Sequence, residues 1–169
     1  IAVTGRPGCG KTTLCRKVVD SFKGNLGGLL TEEIRKRGKR VGFKLENLET
    51  GEEGLLSHVN KCSGPRVGKY HVCIDQLDLF APRAIESDID DKELLVIDEI
   101  GPMELKSVKF LKSVEKSMEK DVDLLFTIHR KSDHPLLRKI RKEFKLLEIT
   151  TDNRNDIYNE IASVFNLIC

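Results

Sequence analysis

The stretch that most constrains this chain lies at its start, where a short apolar segment runs directly into a glycine-rich loop. Ile1–Thr4 is apolar and β-prone, and it is followed by a glycine, four further residues and then Gly-Lys-Thr. This spacing is the phosphate-loop pattern, whose glycines allow successive backbone N–H groups to point at one anion. The residues predicted to bind a nucleotide here are Gly5, Arg6, Pro7, Gly8, Cys9, Gly10, Lys11, Thr12 and Thr13.

A helix is predicted to begin near Lys11, because Leu14, Val18 and Phe22 recur at a spacing of four residues. The free N–H groups and the dipole of its first turn favour a bound anion. Lys11 is therefore expected to act as a catalytic residue that reaches the β- and γ-phosphates. The hydroxyl of Thr12 is expected to coordinate magnesium.

The second informative stretch is Lys92–Glu99, in which four consecutive apolar residues are bounded by charged ones. This pattern predicts a strand that is buried on both faces of a parallel sheet. In a phosphate-loop enzyme, Asp98 would lie beside the metal and bind it through water, and Glu99 would orient or deprotonate an attacking water. The alternative is an ordinary acidic strand end. Gly101, the next candidate nucleotide contact, turns the chain away from the strand.

The order of strand and helix signals predicts an α/β fold. Leu26–Ile34 and Val41–Leu45 are expected to pair around a turn at Gly38, with short strands continuing to Val59. Further strands are predicted at 69–74, 124–128 and 145–149, and further helices at 75–87, 107–120, 134–142 and 153–168. We therefore expect one phosphate-loop domain over residues 1–169, with a mostly parallel sheet covered by helices on both faces and an antiparallel hairpin insert at about 26–60. The nucleotide should lie at the carboxyl edge of the sheet.

Local details of the helices can also be predicted. Asp75 is expected to cap the helix 75–87, and Pro82 is expected to break or kink it. The lysines of helix 107–120 lie mostly on its outer faces, which indicates a solvated surface more than a nucleic-acid contact. The residues of that helix expected to face the core are Val108, Leu111, Val114 and Met118, and those of the closing helix are Ile157, Ile161, Val164 and Ile168.

Two clusters of basic residues fall in predicted loops. The hairpin tip at residues 35–40 has five basic residues in six, which suits either a solvated turn or a flap over the phosphates or a nucleic acid. His129-Arg130-Lys131 follows strand 124–128, at the strand end where functional loops occur. Arg130 is a candidate catalytic contact to the γ-phosphate, and an ordinary surface arginine is the alternative.

Composition indicates which kinds of partner the protein is expected to bind. The chain has 29 basic and 27 acidic residues and a net charge of +2, a balance that argues against a protein built mainly to grip nucleic acid. The sequence contains no apolar run near 18 residues and no signal peptide, so we expect a cytoplasmic protein without a membrane segment. A residue or two are expected to precede Ile1. We expect a monomer.

The cysteines and histidines do not predict a metal site. The five cysteines form no C-x-x-C pair, and their odd number predicts reduced thiols, mostly small core residues. Cys9 occupies a variable position of the phosphate loop, which favours a spacer over a redox role. The cysteines are Cys9, Cys15, Cys62, Cys73 and Cys169, and the four histidines are scattered.

Five stretches together resemble one known family. The most distinctive is Asp98–Leu105, with the string Asp-Glu-Ile-Gly-Pro-Met-Glu-Leu. The others are Gly5–Thr13, Leu30–Arg35 with Arg40–Phe43, Val67–Tyr70 and Thr151–Arg154. In this order along nearly the whole chain, they resemble the small cytosolic nucleoside-triphosphatases, kinase-like phosphate-loop proteins found in bacteria, archaea and animals.

The resemblance implies hydrolysis of ATP, GTP and other triphosphates to diphosphates, with magnesium and broad base tolerance. It also implies that Leu94–Gly101 lines the nucleotide site and that the base could stack at Asn153 and Arg154. The region of Arg130 varies in such proteins, which leaves a role as an arginine finger open. The sequence also lacks the Asn-Lys-x-Asp base reader expected of a guanine-specific GTPase, since the closest string, Asn60–Ser63, has no acid.

Three functions fit these observations. The first is a nucleoside-triphosphatase in which a water held by Glu99 attacks the γ-phosphate. The second is a nucleotide or small-molecule kinase, which uses the same loop but must exclude water and hold an acceptor, usually under a mobile basic lid. The third is a non-enzymatic nucleotide switch or an RNA-associated protein, against which the balanced charge counts.

Overall fold

The computed structural model describes residues 1–167, in which strands and helices alternate after an antiparallel segment. The strands are β1 (Ala2–Gly5), β2 (Leu26–Lys36), β3 (Lys39–Asn47), β4 (Glu53–His58), β5 (Arg66–Val67), β6 (Tyr70–Val72), β7 (Leu94–Ile100), β8 (Asp123–Ile128) and β9 (Leu146–Ile149). The helices are α1 (Lys11–Ser21), α2 (Ile74–Glu86), α3 (Val108–Met118), α4 (Pro135–Glu143) and α5 (Arg154–Val164), with short 3-10 turns at Ile89–Asp91 and Glu104–Lys106.

Across this described range, the nine strands form one continuous sheet in the order β5-β6-β4-β3-β2-β7-β8-β1-β9. From β2 to β9 the neighbours are parallel, and the register sets Leu30 opposite Asp98 and Ala2 opposite Phe126. The predicted α/β fold is confirmed, and the apolar run Leu94–Ile97 of β7 is buried, as predicted.

Helices cover both faces of the parallel strands. Successive residues of β7 point to opposite faces, so Leu95 belongs to a core shared with α2, α3 and α4, while Val96 belongs to a core shared with α1 and α5. In α1, Leu14 and Val18 are buried and Phe22, at its end, is half-buried, as their spacing predicted. This arrangement leaves the carboxyl ends of β1, β7 and β8 at one edge of the sheet.

The antiparallel strands extend the same sheet. β2 pairs in parallel with β7 through its first half and pairs antiparallel with β3 along most of its length. β4, β6 and β5 then continue the antiparallel part as far as Val72. The antiparallel part therefore reaches beyond residue 60, where the sequence pattern ended it. The predicted strand 69–74 contains β6, which pairs with β4, whereas β5 has two residues and is too short to give a strand signal.

One prediction about the cysteines is wrong. Cys62 and Cys73 form a disulfide, with their Cα atoms 5.1 Å apart. The pairing of Ser57 with Val72 between β4 and β6 closes the intervening segment and brings the two cysteines together. No local sequence signal reports a contact of this kind. Cys9 and Cys15 are free and buried, as predicted, and Cys169 lies outside the described residues.

Three helix details also differ from prediction. Val108 is 63% exposed and Phe110 is buried instead, because the Ser107 hydroxyl caps α3 and fixes where the helix begins. Val114 is buried as predicted, and Leu111 and Met118 are partly buried against the core. Helix α2 begins one residue before Asp75, with Cys73 at the N-cap, and it continues through Pro82 without a break. The helix is held there by a row of buried residues, Leu77, Phe80, Ala81, Ala84 and Ile85.

The closing helix is shorter than predicted. It ends at Val164, which is 46% exposed rather than buried, while Ile157 and Ile161 face the core as expected. Ile168 lies outside the described residues. Among the helices in the described part of the chain, none is long and apolar enough to cross a membrane.

Substitution of Gly28 by Ala should destabilise the protein by more than about 3 kcal/mol. Gly28 has a φ of +106°, and an added Cβ would lie 1.9 Å from the Val96 carbonyl oxygen on the neighbouring strand. Gly38→Ala is the matched control, because Gly38 also has a positive φ (+75°) but no atom within 4 Å of the added Cβ. The Gly38→Ala substitution should lower the free energy of unfolding, measured in urea, by about 1 kcal/mol. Equal losses for the two variants would contradict the close approach of β2 to β7.

Candidate active site

The loop between β1 and α1 forms a cradle at the carboxyl edge of the sheet. The backbone passes through positive φ at Gly8 (76°) and Gly10 (107°), and Gly10 is the N-cap of α1. The first N–H groups of a helix have no partner within the helix, so those of α1 are available to an anion in front of the loop. Lys11 is 8% exposed, and its Nζ donates to the Gly5 carbonyl oxygen at 3.4 Å.

The acidic end of β7 faces this cradle. Asp98 is fully buried, and its Oδ2 accepts a hydrogen bond from the Thr12 hydroxyl at 2.7 Å. Its Oδ1 accepts a second hydrogen bond from the Thr127 hydroxyl of β8. Burial raises the pKa of Asp98 to about 6, against the opposing effect of the two hydroxyl donors. The structure therefore joins the start of α1, the end of β7 and the end of β8 through one carboxylate.

Glu99 lies on the other side of the loop lysine. Its Oε2 is 3.8 Å from Lys11 Nζ. Burial raises the pKa of Glu99, and the charge of Lys11 opposes part of that rise. A half-buried carboxylate with a raised pKa is suited to accept a proton from a nearby water.

Thr12 and Asp98 together fit a magnesium ion. Both offer hard oxygen atoms, and their separation of 2.7 Å resembles the roughly 2.9 Å between neighbouring ligands of an octahedral ion with 2.0–2.1 Å bonds. Within residues 1–167, no group of three or more His, Cys, Asp or Glu could hold a metal. Two protein ligands suffice for an ion that takes its remaining ligands from phosphates and water.

Three cavities surround the loop. The largest, about 680 Å³, lies between the loop and the antiparallel strands and is bordered by Lys11, Glu99 and Gly101. A second, about 250 Å³, lies between Gly10 and α5. A third, about 540 Å³, is lined by Lys11, Glu99 and the segment 129–131. The phosphate loop therefore borders all three spaces.

The remaining predicted site residues fall around these cavities. Arg130 lines the third cavity, but its Nε pairs with Glu148 Oε1 at 3.2 Å. Arg154 lines the second cavity, and its Nε donates to the Cys9 carbonyl oxygen at 2.7 Å. Asn153 uses its side chain to hold the turn before α5, accepting from the Thr150 N–H at 2.7 Å.

Two further residues of the site, His129 and Glu104, were not predicted to have a role in it. His129 lines the two larger cavities, and its Nδ1 accepts from the Ser132 N–H at 3.0 Å, which leaves the proton on Nε2. Burial, with Lys11 and other nearby cations, lowers the pKa of His129, so the ring is neutral at pH 7. Its position directly after a buried strand was the available signal.

Glu104 is 4% exposed and lines the largest cavity. One carboxyl oxygen accepts from the Gly101 N–H at 3.2 Å. Burial, followed by the charge of Glu99, raises the pKa of Glu104 to about 8. Its place in the distinctive string 98–105 was the signal that could have identified it.

A family model described as NTPase matches residues 1–162 of this chain. The chain belongs to this nucleoside-triphosphatase family. A protein named nucleoside-triphosphatase THEP1 from Archaeoglobus fulgidus is 50% identical over 166 residues, which cover 97% of both chains. Another of the same name, from Methanosarcina acetivorans, is 44% identical over 171 residues, covering 98% of this chain and 95% of the relative.

Solved structures agree with this family assignment. The crystal structure of THEP1 from Aquifex aeolicus superposes with a TM-score of 0.87 at 34% identity, covering 98% of both chains. The solution structure of a human cancer-related nucleoside triphosphatase gives 0.80 at 34% identity, covering 97% of this chain and 95% of the human one. The family resemblance seen in the sequence is confirmed.

Glu104→Gln should flatten the pH dependence of stability. Between about pH 4.5 and 8, the folded protein keeps a proton on Glu104 that the unfolded chain has lost, so the free energy of unfolding falls as pH rises. The contribution of this carboxyl is about 1.4 kcal/mol per pH unit. Urea unfolding at several pH values measures the slope. Glu115→Gln, on the exposed face of α3, is the control and should leave the slope unchanged. An unchanged slope in Glu104→Gln would contradict the raised pKa of Glu104 in the folded protein.

Proposed function

We propose that this protein is a magnesium-dependent nucleoside-triphosphatase that hydrolyses ATP, GTP and other nucleoside triphosphates to the diphosphate and inorganic phosphate. The observation that carries the proposal is the meeting of the phosphate loop with the acid pair, in which Thr12 bonds Asp98 and Lys11 lies beside Glu99. Membership of the nucleoside-triphosphatase family supports the same reaction.

In this proposal, the phosphate loop and the start of α1 bind the phosphates of the nucleotide. The N–H groups of Gly8 and Gly10–Thr13 and the ammonium of Lys11 would hold the β- and γ-phosphates, and Thr12 and Asp98 would hold Mg²⁺. The chemistry that Mg²⁺ supplies when bound is neutralisation of the phosphate charge. Because Lys11 is nearly buried, its attraction for the phosphates is screened little by solvent.

Hydrolysis requires a water in line with the bond to the leaving diphosphate. Glu99 would orient this water and accept its proton as the water oxygen bonds to the γ-phosphorus and the β–γ bridging bond breaks. Lys11 and the loop amides would stabilise the charge that develops on the γ-phosphate oxygens. Arg130 remains a candidate donor, although its pairing with Glu148 would have to be released first.

The nucleoside is proposed to lie over α5, where Arg154 meets the loop backbone and Lys17 lies 3.6 Å above the Tyr158 ring. Stacking on such groups accepts any base, because every base has a π-face. The supporting role of Asn153 is to hold the turn that presents Arg154. A cytoplasmic location and a monomeric state stay predictions.

A kinase using the same loop is the alternative, and the names of the relatives do not favour it. The direct discriminator is release of inorganic phosphate from ATP with no acceptor added. A triphosphatase releases phosphate at its full rate under these conditions. A kinase releases it only slowly and forms ADP faster when its acceptor is supplied.

Lys11→Ala should abolish phosphate release. Glu99→Gln should preserve triphosphate binding and slow hydrolysis by about 10²–10⁴-fold, the usual size of a general-base effect. Steady-state phosphate release measures kcat, and titration with a non-hydrolysable analogue measures binding. Lys109→Ala, on the exposed face of α3, is the control for removal of a lysine. An unchanged kcat in Glu99→Gln would remove the proposed base.

ATP and GTP should be hydrolysed with similar kcat/KM. The phosphates supply most of the proposed contacts, and stacking on Arg154 does not distinguish the exocyclic groups of the bases. Parallel kinetics with ATP, GTP, CTP and UTP would measure this. A preference of more than about a hundredfold, close to 3 kcal/mol of discrimination, would require a specific base reader and would contradict the proposed site.

A further inference from the structure

The largest cavity has more room than hydrolysis requires. Its volume is about 680 Å³, whereas a single water takes about 30 Å³. One end of the cavity is the phosphate loop with Glu99, and the other end is built by β3, β4, β5 and β6. Since the nucleoside is proposed to lie over α5, the far end of this cavity has no role in binding the triphosphate.

The far wall is apolar and aromatic. The rings of Phe43 and Tyr70 meet edge to face, with their centroids 5.3 Å apart. Leu56, Val67 and Met103 complete this wall. A concave surface of this size, mostly apolar with a few fixed polar groups, is typical of a small-molecule site, and the paired rings suit a planar aromatic group.

A fixed guanidinium stands at the edge of this wall. Arg40 Nε donates to the Tyr70 hydroxyl at 2.8 Å, and its Nη1 donates to Glu33 Oε1 at 2.7 Å. The guanidinium carbon lies 5.2 Å from the Phe43 ring centroid. These contacts hold the guanidinium in one orientation, so little side-chain entropy is lost when it binds an anion.

The charge around this edge is positive. Glu33 is shared between Arg40 and Arg35, so one carboxylate faces two guanidiniums. The next acid, Glu32, pairs with Arg16 and Lys44, and these two bases also pair with Glu46 and Glu53, so the positive excess comes from the hairpin tip. The basic residues of the hairpin tip are Arg35, Lys36, Arg37, Lys39 and Arg40. This excess of positive charge attracts an anionic group to the end of the cavity away from the phosphate loop.

Two buried polar groups lie between the cavity ends. Glu104 is 4% exposed and has a pKa near 8, so at pH 7 its carboxyl can donate a hydrogen bond. The Thr31 hydroxyl is buried and has no hydrogen-bond partner within the part of the chain that the structure describes. A buried polar atom without a partner is uncommon, and a ligand in the cavity could satisfy the Thr31 hydroxyl and accept a hydrogen bond from the Glu104 carboxyl, which otherwise contacts the Gly101 N–H.

We propose that this cavity binds a second ligand together with the triphosphate: a small planar aromatic molecule that carries an anionic group. The ring would pack between Phe43, Tyr70 and Met103, and the anion would pair with Arg40. The proposal rests on the proposed function only in assigning the triphosphate to the loop. Under this proposal, the antiparallel strands build a ligand site that hydrolysis alone does not require.

Calorimetric titration with AMP tests this proposal on protein already saturated with Mg²⁺ and a non-hydrolysable ATP analogue. AMP supplies both the ring and the anion, adenosine supplies the ring alone, and inorganic phosphate supplies the anion alone. We expect one further equivalent of AMP to bind, adenosine to bind at least tenfold more weakly, and phosphate not to bind. 1-Anilinonaphthalene-8-sulfonate, an unrelated aromatic anion, serves as a second probe and should compete with AMP.

Two variants locate this binding in the cavity. Arg40→Gln should weaken AMP binding at least tenfold by removing the anion partner, and Val67→Trp should abolish it by filling the far end from a short edge strand. Lys36→Gln removes the same charge from the exposed hairpin tip and should leave AMP binding unchanged. Since each titration begins with the ATP analogue, binding of the analogue shows that every variant is folded.

If AMP or 1-anilinonaphthalene-8-sulfonate does not bind at millimolar concentration to protein that is saturated with the ATP analogue, the proposal is overturned. Equal weakening by Arg40→Gln and Lys36→Gln would also overturn it, because binding would then follow general charge rather than this site. Hydrolysis is measured separately on the wild-type protein without AMP. Loss of the proposed function therefore appears as absent phosphate release, and loss of the second site as absent AMP binding.

Discussion

The hydrogen bond between the Thr12 hydroxyl and the buried carboxylate of Asp98 is the contact on which the candidate site depends. It fixes the first turn of α1 against the end of β7, and the Thr127 hydroxyl ties the same carboxylate to β8. A buried carboxylate is costly unless it is hydrogen-bonded, so both hydroxyls stabilise its place in the sheet. Their arrangement also leaves the oxygens of Thr12 and Asp98 side by side at the edge where Lys11 and Glu99 meet.

The fold could be predicted where local pattern and tertiary environment agree. The apolar run before Asp98 indicated a strand buried on both faces, and that burial comes from two helical layers whose own apolar spacing was visible in the sequence. The features that the sequence did not predict have a common cause. The disulfide between Cys62 and Cys73, the exposure of Val108 and the short strand β5 are set by pairing between distant segments or by helix phase, and neither leaves a periodic signal in the chain.

The same division applies to the site. Lys11, Thr12, Asp98 and Glu99 belong to short motifs in which each residue type has its own chemical reason, so the sequence predicted that they would lie together. His129 follows a buried strand and Glu104 lies in the distinctive string 98–105, but no local pattern assigns a chemical role to either residue. Their environments arise only when the ends of β7 and β8 meet beside the loop, which leaves Glu104 buried with a raised pKa and gives His129 a fixed tautomer. Their identification therefore required the three-dimensional arrangement.

Strand β2 belongs to both the parallel and the antiparallel part of the sheet, and its two ends differ in their pairing. Leu30 is in register with Asp98, whereas the pairing of β2 with β3 shifts at a bulge between Ile34 and Arg35. A bulge interrupts the ladder and allows the chain to bend there. The bend at the bulge sets the direction of the hairpin tip separately from the stretch beside Asp98, which is held by its ladder to β7. The register that aligns the acid pair therefore does not depend on the length or the charge of the hairpin tip.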